Sequence, residues 1–174
     1  MKRVPPDSLL LKPFDLLDRE WALLVAGRER PNPMTVSWGG FGTLWNRPML
    51  TVYVRPVRHT FSLLEAEPVF TLNFLPEALR PAMQLCGERS GRDTDKWTAT
   101  GLHTAPSATI PVPRVAEAHL ALECRVVATL DIDPRRFLDR SVQDLYPERD
   151  YHRVFFGEVV AAWSKAVPHL EESP

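Results

Sequence analysis

The sequence predicts a mainly β chain with a few peripheral helices, most simply a closed antiparallel β-barrel. Three observations carry this. Apolar residues recur with the period of a half-buried strand, as Met34, Val36 and Trp38 do against Thr35 and Ser37. Runs rich in β-branched and aromatic residues, such as Met49–Val54 and Val69–Phe74, outnumber the helical ones. These runs follow one another at hairpin rather than strand–helix–strand spacing, which favours an antiparallel barrel over a parallel sheet. With 174 residues the chain can bury one sizeable core, and 1–174 is expected to be a single domain.

Taken in order, residues 1–13 contain Pro5, Pro6 and Pro13 and are expected to form an irregular arm. Phe14 to Arg19 predicts a short helical turn, and Trp21–Ala26 a buried strand closed by Gly27. A polar turn then leads into Asn32–Phe41, a strand running into a loose hairpin. Gly39, Gly40 and Gly42 remove side chains there and let the main chain approach a ligand closely. Met49–Val54 is a strand ending at Arg55-Pro56, after which Thr60 is placed to cap a helix. Val69–Phe74 is a strand whose apolar run Asn73 interrupts, and Glu77 to Leu85 is a helix. Thr94 is placed to cap a short helix at Trp97. Pro106, Pro111 and Pro113 make 102–118 irregular. His119–Ile132 is a long strand, 135–146 has no clear period, and His152–Trp163 is the last strand. Gly157 within it predicts a bulge or a close backbone approach. A loose tail over 165–174 completes the chain.

Composition narrows the function. A hydrophobic share of 44% and a charged share of 25% are those of a globular protein. A net charge of −1 argues against a general nucleic-acid binder. Pro5-Pro6-Asp7 interrupts any signal-peptide core, and no apolar run reaches the length of a membrane span, so no membrane partner is expected. Cys86 and Cys124 lack metal-ligand spacing, as do the histidines, so no metal site is expected. Cys86 reads most simply as a small core residue, and reduced thiols point to the cytoplasm. No Walker loop, dinucleotide fingerprint or G-x-S-x-G elbow is present.

Three stretches carry chemistry, each beside a plainer reading. Met34–Trp38, with its hydroxyls, indole and following glycines, suits a flat heterocycle with polar edges, or is simply a strand entering a hairpin. Arg58 and Thr60 at a helix start suit an anion, or are a helix cap beside exposed arginines. Ser90, Arg92 and Lys96 offer further anion donors and Trp97 a stacking surface, or form a solvated loop.

In this order the motifs resemble the flavin reductase-like, FMN-binding split-barrel family, which includes flavoredoxin. Asn32-x-Met34-Thr35-x-Ser37-Trp38 is similar to its opening motif, and Arg55-Pro56-x-Arg58-His59-Thr60 to its next segment. Phe70-Thr71-Leu72-Asn73, Ser90-Gly91-Arg92-Asp93-x-Asp95-Lys96-Trp97 and His152-x-x-Phe155-Phe156-Gly157-Glu158-Val159 follow in sequence. The resemblance implies a homodimer of split barrels with FMN near the interface. It places Met34, Thr35, Val36, Ser37 and Trp38 along the isoalloxazine and Arg58, His59 and Thr60 at the phosphate. Asn73 would contact the flavin or its ribityl chain, and Ser90, Arg92, Lys96 and Trp97 would complete the contacts. It further implies NADH- or NADPH-dependent reduction of FMN or of an acceptor through it. Alternatives are a flavoredoxin-like carrier fed by a redox protein partner, and a barrel holding another ligand such as haem. Family members that use NADH often carry Gly-Asp-His before the last strand. Here Asp150-Tyr151-His152 keeps only the histidine, so His152 stands as a candidate nicotinamide-side residue.

Overall fold

The computed structural model describes residues 1–165. Its strands are β1 (Lys2–Val4), β2 (Ala22–Ala26), β3 (Asn32–Val36), β4 (Gly39–Leu44), β5 (Arg47–Val54), β6 (Val69–Phe74), β7 (Thr104–Ala105), β8 (Arg114–Val115), β9 (Leu120–Asp131) and β10 (Arg153–Ser164). Three α-helices lie among them: α1 (His59–Ala66), α2 (Arg80–Glu88) and α3 (Lys96–Thr100). The main antiparallel sheet runs β3-β2-β6-β9-β10-β5-β4, with β1 paired to the far end of β10. The path ends at β3 and β4, and Ser37-Trp38 carries the chain from one end to the other. The barrel is therefore split, as the resemblance implies, where strand spacing alone predicts closure.

Two apolar cores explain the strand pattern. Ala22, Leu24 and Ala26 of β2 face an inner core with Phe70, Leu72, Phe74, Leu122 and Phe155. Leu23 and Val25 point the other way, into an outer core with Met83, Cys86, Val112 and Val115. With both faces covered, β2 reads as a continuous apolar run rather than an alternation. The register of β9 and β10 shifts between Phe156 and Gly157. A Cβ at Gly157 would lie 2.8 Å from the Phe70 ring, so the bulge and the close approach are both present.

Several local expectations are corrected. The proline-rich arm contains β1, which ends where Pro5 and Pro6 begin. The glycines after Trp38 lie in strand β4, and the β4–β5 hairpin is tight. Its two central residues, Trp45 and Asn46, have φ of 53° and 56°, the torsions of a type I′ turn. Alternation predicts a buried Trp38, but β3 stops at Val36 and Trp38 is 45% exposed. Helix α1 starts one residue before Thr60: Arg58 is extended and occupies the cap position without a capping side chain. Asp95, not Thr94, caps α3 by accepting from the N–H groups of Trp97 and Thr98. Lys165 donates its N–H to the His119 carbonyl at 2.8 Å, and the rest of the expected loose tail lies outside the described residues.

One buried charge network pins the irregular 102–118 segment. Glu123, wholly enclosed on β9, accepts from Ala108 N and Thr109 N at 2.8 Å and from Thr109 Oγ1 and Trp163 Nε1 at 2.6 Å. Burial alone would raise its pKa, but these donors hold it below the usual carboxylate value. Arg114 stacks on the Trp163 ring at 3.9 Å and donates to the Pro106 carbonyl at 2.8 and 3.2 Å.

Candidate functional site

A cleft runs from the end of β3 and Ser37-Trp38, past the end of β5, and becomes more enclosed towards the start of α1. At its wide end, Met34, Thr35, Val36, Ser37 and Trp38 form one wall of a cavity of about 190 Å³. Tyr53, Arg55, Arg58 and His152 line the other side. At the narrow end a second cavity of about 180 Å³ is bounded by Arg58, His59, Thr60, Ser90, Arg92 and Lys96. The two cavities share Met34 and Arg58, so an elongated ligand can occupy both.

The narrow end is built to hold an anion. Helix α1 begins there with no capping side chain, so its first N–H groups and its dipole face the cavity. Arg58, Arg89, Arg92 and Lys96 bring four cations, and among the described residues none forms an ion pair. Their contacts are to neutral groups: Arg58 donates to Gly87 O at 3.3 Å, and Arg92 to Val57 O at 3.1 Å. His59 Nδ1 is buried without any hydrogen-bond partner among the described residues. Burial, then the charges of Arg92 and Lys96, lower the His59 pKa. Gly91 lets the loop lie against β3: a Cβ there would sit 1.9 Å from Asn32 Oδ1.

Other predicted site residues are used to shape the cleft. Asn32 Nδ2 donates to Thr60 Oγ1 at 2.9 Å, tying β3 to α1. The Thr35 hydroxyl donates to the Met83 carbonyl of α2. Lys96 is buried and donates to Pro33 O at 2.9 Å and Cys86 O at 2.8 Å, leaving one ammonium proton for the cavity. Burial, with Arg58 adding repulsion, brings its pKa down to about 8. Trp97 Nε1 donates to Pro31 O at 2.6 Å, so its indole braces the outer side of the loop, away from the wide end of the cleft. Asn73 lies fully buried on β6 outside both cavities. Its amide bonds Leu23 O, Thr71 Oγ1 and the Val115 N–H. Cys86 is buried, and burial raises its pKa to about 11.

Sequence reasoning missed Tyr53, Arg89, Tyr146 and the role of Arg55. Tyr53 alternates outward on β5 like any strand residue, and Arg89 is one cation among several. Arg55 is paired with Asp150 at 2.9 Å and lies over the Tyr146 ring at 5.0 Å. It brings together residues ninety positions apart, which no local pattern signals.

The model of the flavin reductase like domain matches residues 19–171, nearly all of the chain. The chain belongs to that family. Its fold is similar to flavoredoxin from Methanosarcina acetivorans, with 27% identity and a TM-score of 0.68 over 84% of this chain and 68% of that one. It is also similar to an FMN-binding protein from Thermus thermophilus, with 25% identity and a TM-score of 0.65 over 83% and 71%. A sequence relative from Deinococcus radiodurans is 36% identical over 81 residues, 47% of this chain. The chain spans 36% of that relative's length and 61% of a second one's. Among the described residues no helix is long and apolar enough to cross a membrane, and no three metal-ligating side chains come together.

Proposed function

We propose that this flavin reductase-like chain binds FMN in the cleft and works as an NAD(P)H-dependent oxidoreductase. The observation that carries this is the junction of two unlike cavities. A slot walled by Met34–Trp38 suits a flat ring, and it adjoins the cations Arg58, Arg89, Arg92 and Lys96, which meet no carboxylate among the described residues. The free start of α1, the Arg58 and Arg92 guanidiniums and the orphaned His59 Nδ1 match a phosphate monoester's several acceptors. Bound flavin would supply the electron transfer itself. The chain's task is to orient the ring between β3 and His152, anchor the phosphate, and present neutral donors at the ring's edge.

Beside the half-exposed Trp38 of the cleft wall, Phe14 is 90% exposed and lines an adjoining cavity with it. This surface supports the expected homodimer, with the second copy covering the cleft mouth. The buried thiols of Cys86 and Cys124 accord with a reducing compartment, the cytoplasm.

A flavoredoxin-like electron carrier is the second reading. The likeness to flavoredoxin favours it, as does the pairing of Asp150 with Arg55, which takes the acid beside His152 out of the cleft. Protein reconstituted with FMN and titrated anaerobically separates the two. Bleaching of the visible bands by NADH or NADPH supports the oxidoreductase. Bleaching by dithionite alone supports the carrier, and failure both to retain FMN after desalting and to reduce added FMN with NADH or NADPH overturns both.

A further inference from the structure

His152 and Tyr146 form a pair whose protons can be assigned by counting donors and acceptors. Tyr146 is buried, and its hydroxyl lies 2.8 Å from His152 Nδ1, its sole hydrogen-bond partner among the described residues. A buried phenol proton without an acceptor is costly, so the hydroxyl donates to Nδ1. A neutral imidazole that accepts at Nδ1 carries its proton at Nε2. Burial, followed by the charge of Arg55, holds His152 at a pKa of about 4, against a smaller opposing pull from Asp150. The ring is therefore neutral near pH 7. Among the described residues Nδ1 carries the only side-chain hydrogen bond of His152, so Nε2 is left for the cleft that the ring lines.

The geometry keeps this arrangement rigid. The imidazole lies against Trp38 with ring centroids 5.2 Å apart and meets the Tyr146 ring edge-on at 5.5 Å. Tyr146 is packed against Tyr151 at 4.9 Å and stacked on Phe137 at 6.4 Å. Arg55 clamps the segment that carries it, donating to Leu145 O at 3.0 Å and pairing with Asp150.

We propose that Tyr146 is a positioning residue that locks His152 in its Nε2–H tautomer, and that this N–H is a neutral hydrogen-bond donor to an acceptor atom on the edge of the ring held in the cleft. The donor role rests on the flavin reading above; the tautomer lock does not. A neutral donor suits a ring whose edge gains electron density on reduction, since it stabilises that density without adding a fixed charge beside Arg55 and Arg58.

The test uses the full-length chain labelled with ¹⁵N-histidine, first without flavin. At pH 7 the His152 signals, assigned by their loss in His152→Gln, should show a pyrrole-type Nε2 and a pyridine-type Nδ1. Tyr146→Phe should move both nitrogens towards exchange-averaged positions. A protonated Nδ1 in the wild type, or no movement in Tyr146→Phe, overturns the lock; if Tyr146→Phe does not fold, the wild-type spectrum alone decides. FMN titration then tests the donor. His152→Leu should weaken FMN about ten-fold, the size of one hydrogen bond, and His152→Gln, whose amide N–H can stand in for Nε2–H, should stay within about three-fold. Equal losses in both variants overturn the donor role and leave only packing. A wild type that binds no FMN overturns the flavin reading, and the flavin-free spectrum distinguishes that failure from failure of the lock.

Discussion

The charge network around Glu123 and the cation cluster at the start of α1 handle charge in opposite ways. Glu123 is enclosed, its oxygens accept four hydrogen bonds, and Arg114 lies 4.0 Å away. Arg58, Arg89 and Arg92 reach solvent, pair with no carboxylate among the described residues, and sit beside a buried nitrogen that lacks a partner. A completed network specifies the fold, because every group in it is paid for internally. An incomplete one, gathered at a helix start by two separate segments, is explained by a ligand that completes it.

Substitutions can break this contrast, the largest effect coming first. Glu123→Ala strips the acceptor from a buried network and should cost about 3–5 kcal/mol of stability in chemical denaturation. The ratio of FMN to riboflavin affinity in the surviving folded protein should be unchanged. Arg58→Ala and Arg92→Ala should do the reverse. Each should weaken FMN by about 1.5–3 kcal/mol in calorimetric titration, weaken riboflavin less, and change stability by no more than about 0.5 kcal/mol. Lys96→Ala bridges the two regions. It removes a cation from the cradle and leaves Pro33 O and Cys86 O without their donor, so FMN affinity and stability should fall together.

A pH series sharpens the same point. Folding lowers the Lys96 pKa from 10.5 to about 8, so between these values the unfolded chain holds the proton more tightly. The contribution of Lys96 to stability therefore rises as pH increases through that window. FMN affinity should move the other way, falling as Lys96 loses its charge above about pH 8, while riboflavin affinity stays flat. The smallest effect belongs to the partly exposed pair Arg47–Glu158, 3.2 Å apart on the surface. Arg47→Ala should cost about 0–1 kcal/mol and leave flavin binding alone, which calibrates the other variants.

Much of the fold was legible because strands report their own burial. The β2, β5, β6, β9 and β10 runs are where alternation or continuous apolarity predicts them, and Gly157 marks a real bulge. The α1 cap was displaced by two positions because Arg58 adopts an extended backbone, and the α3 cap by one because Asp95 out-competes Thr94 as an acceptor, differences too local for periodicity to resolve. Polar residues on apolar strands were visible, but their roles were not. Asn73 reads as a ligand contact from sequence, yet its amide is committed to three neighbours in the structure. The Tyr146–His152 pair lies in a segment with no period and depends on Arg55 arriving from β5, so tertiary structure alone reveals it.

The central claim is that the cluster at α1 is completed by a phosphate. Its most direct test is equilibrium titration of the flavin-free wild-type protein with FMN and with riboflavin, which differ only in that group. Two or more charge-assisted contacts predict that FMN binds at least about 100-fold more tightly. Equal affinity for the two flavins would contradict the account.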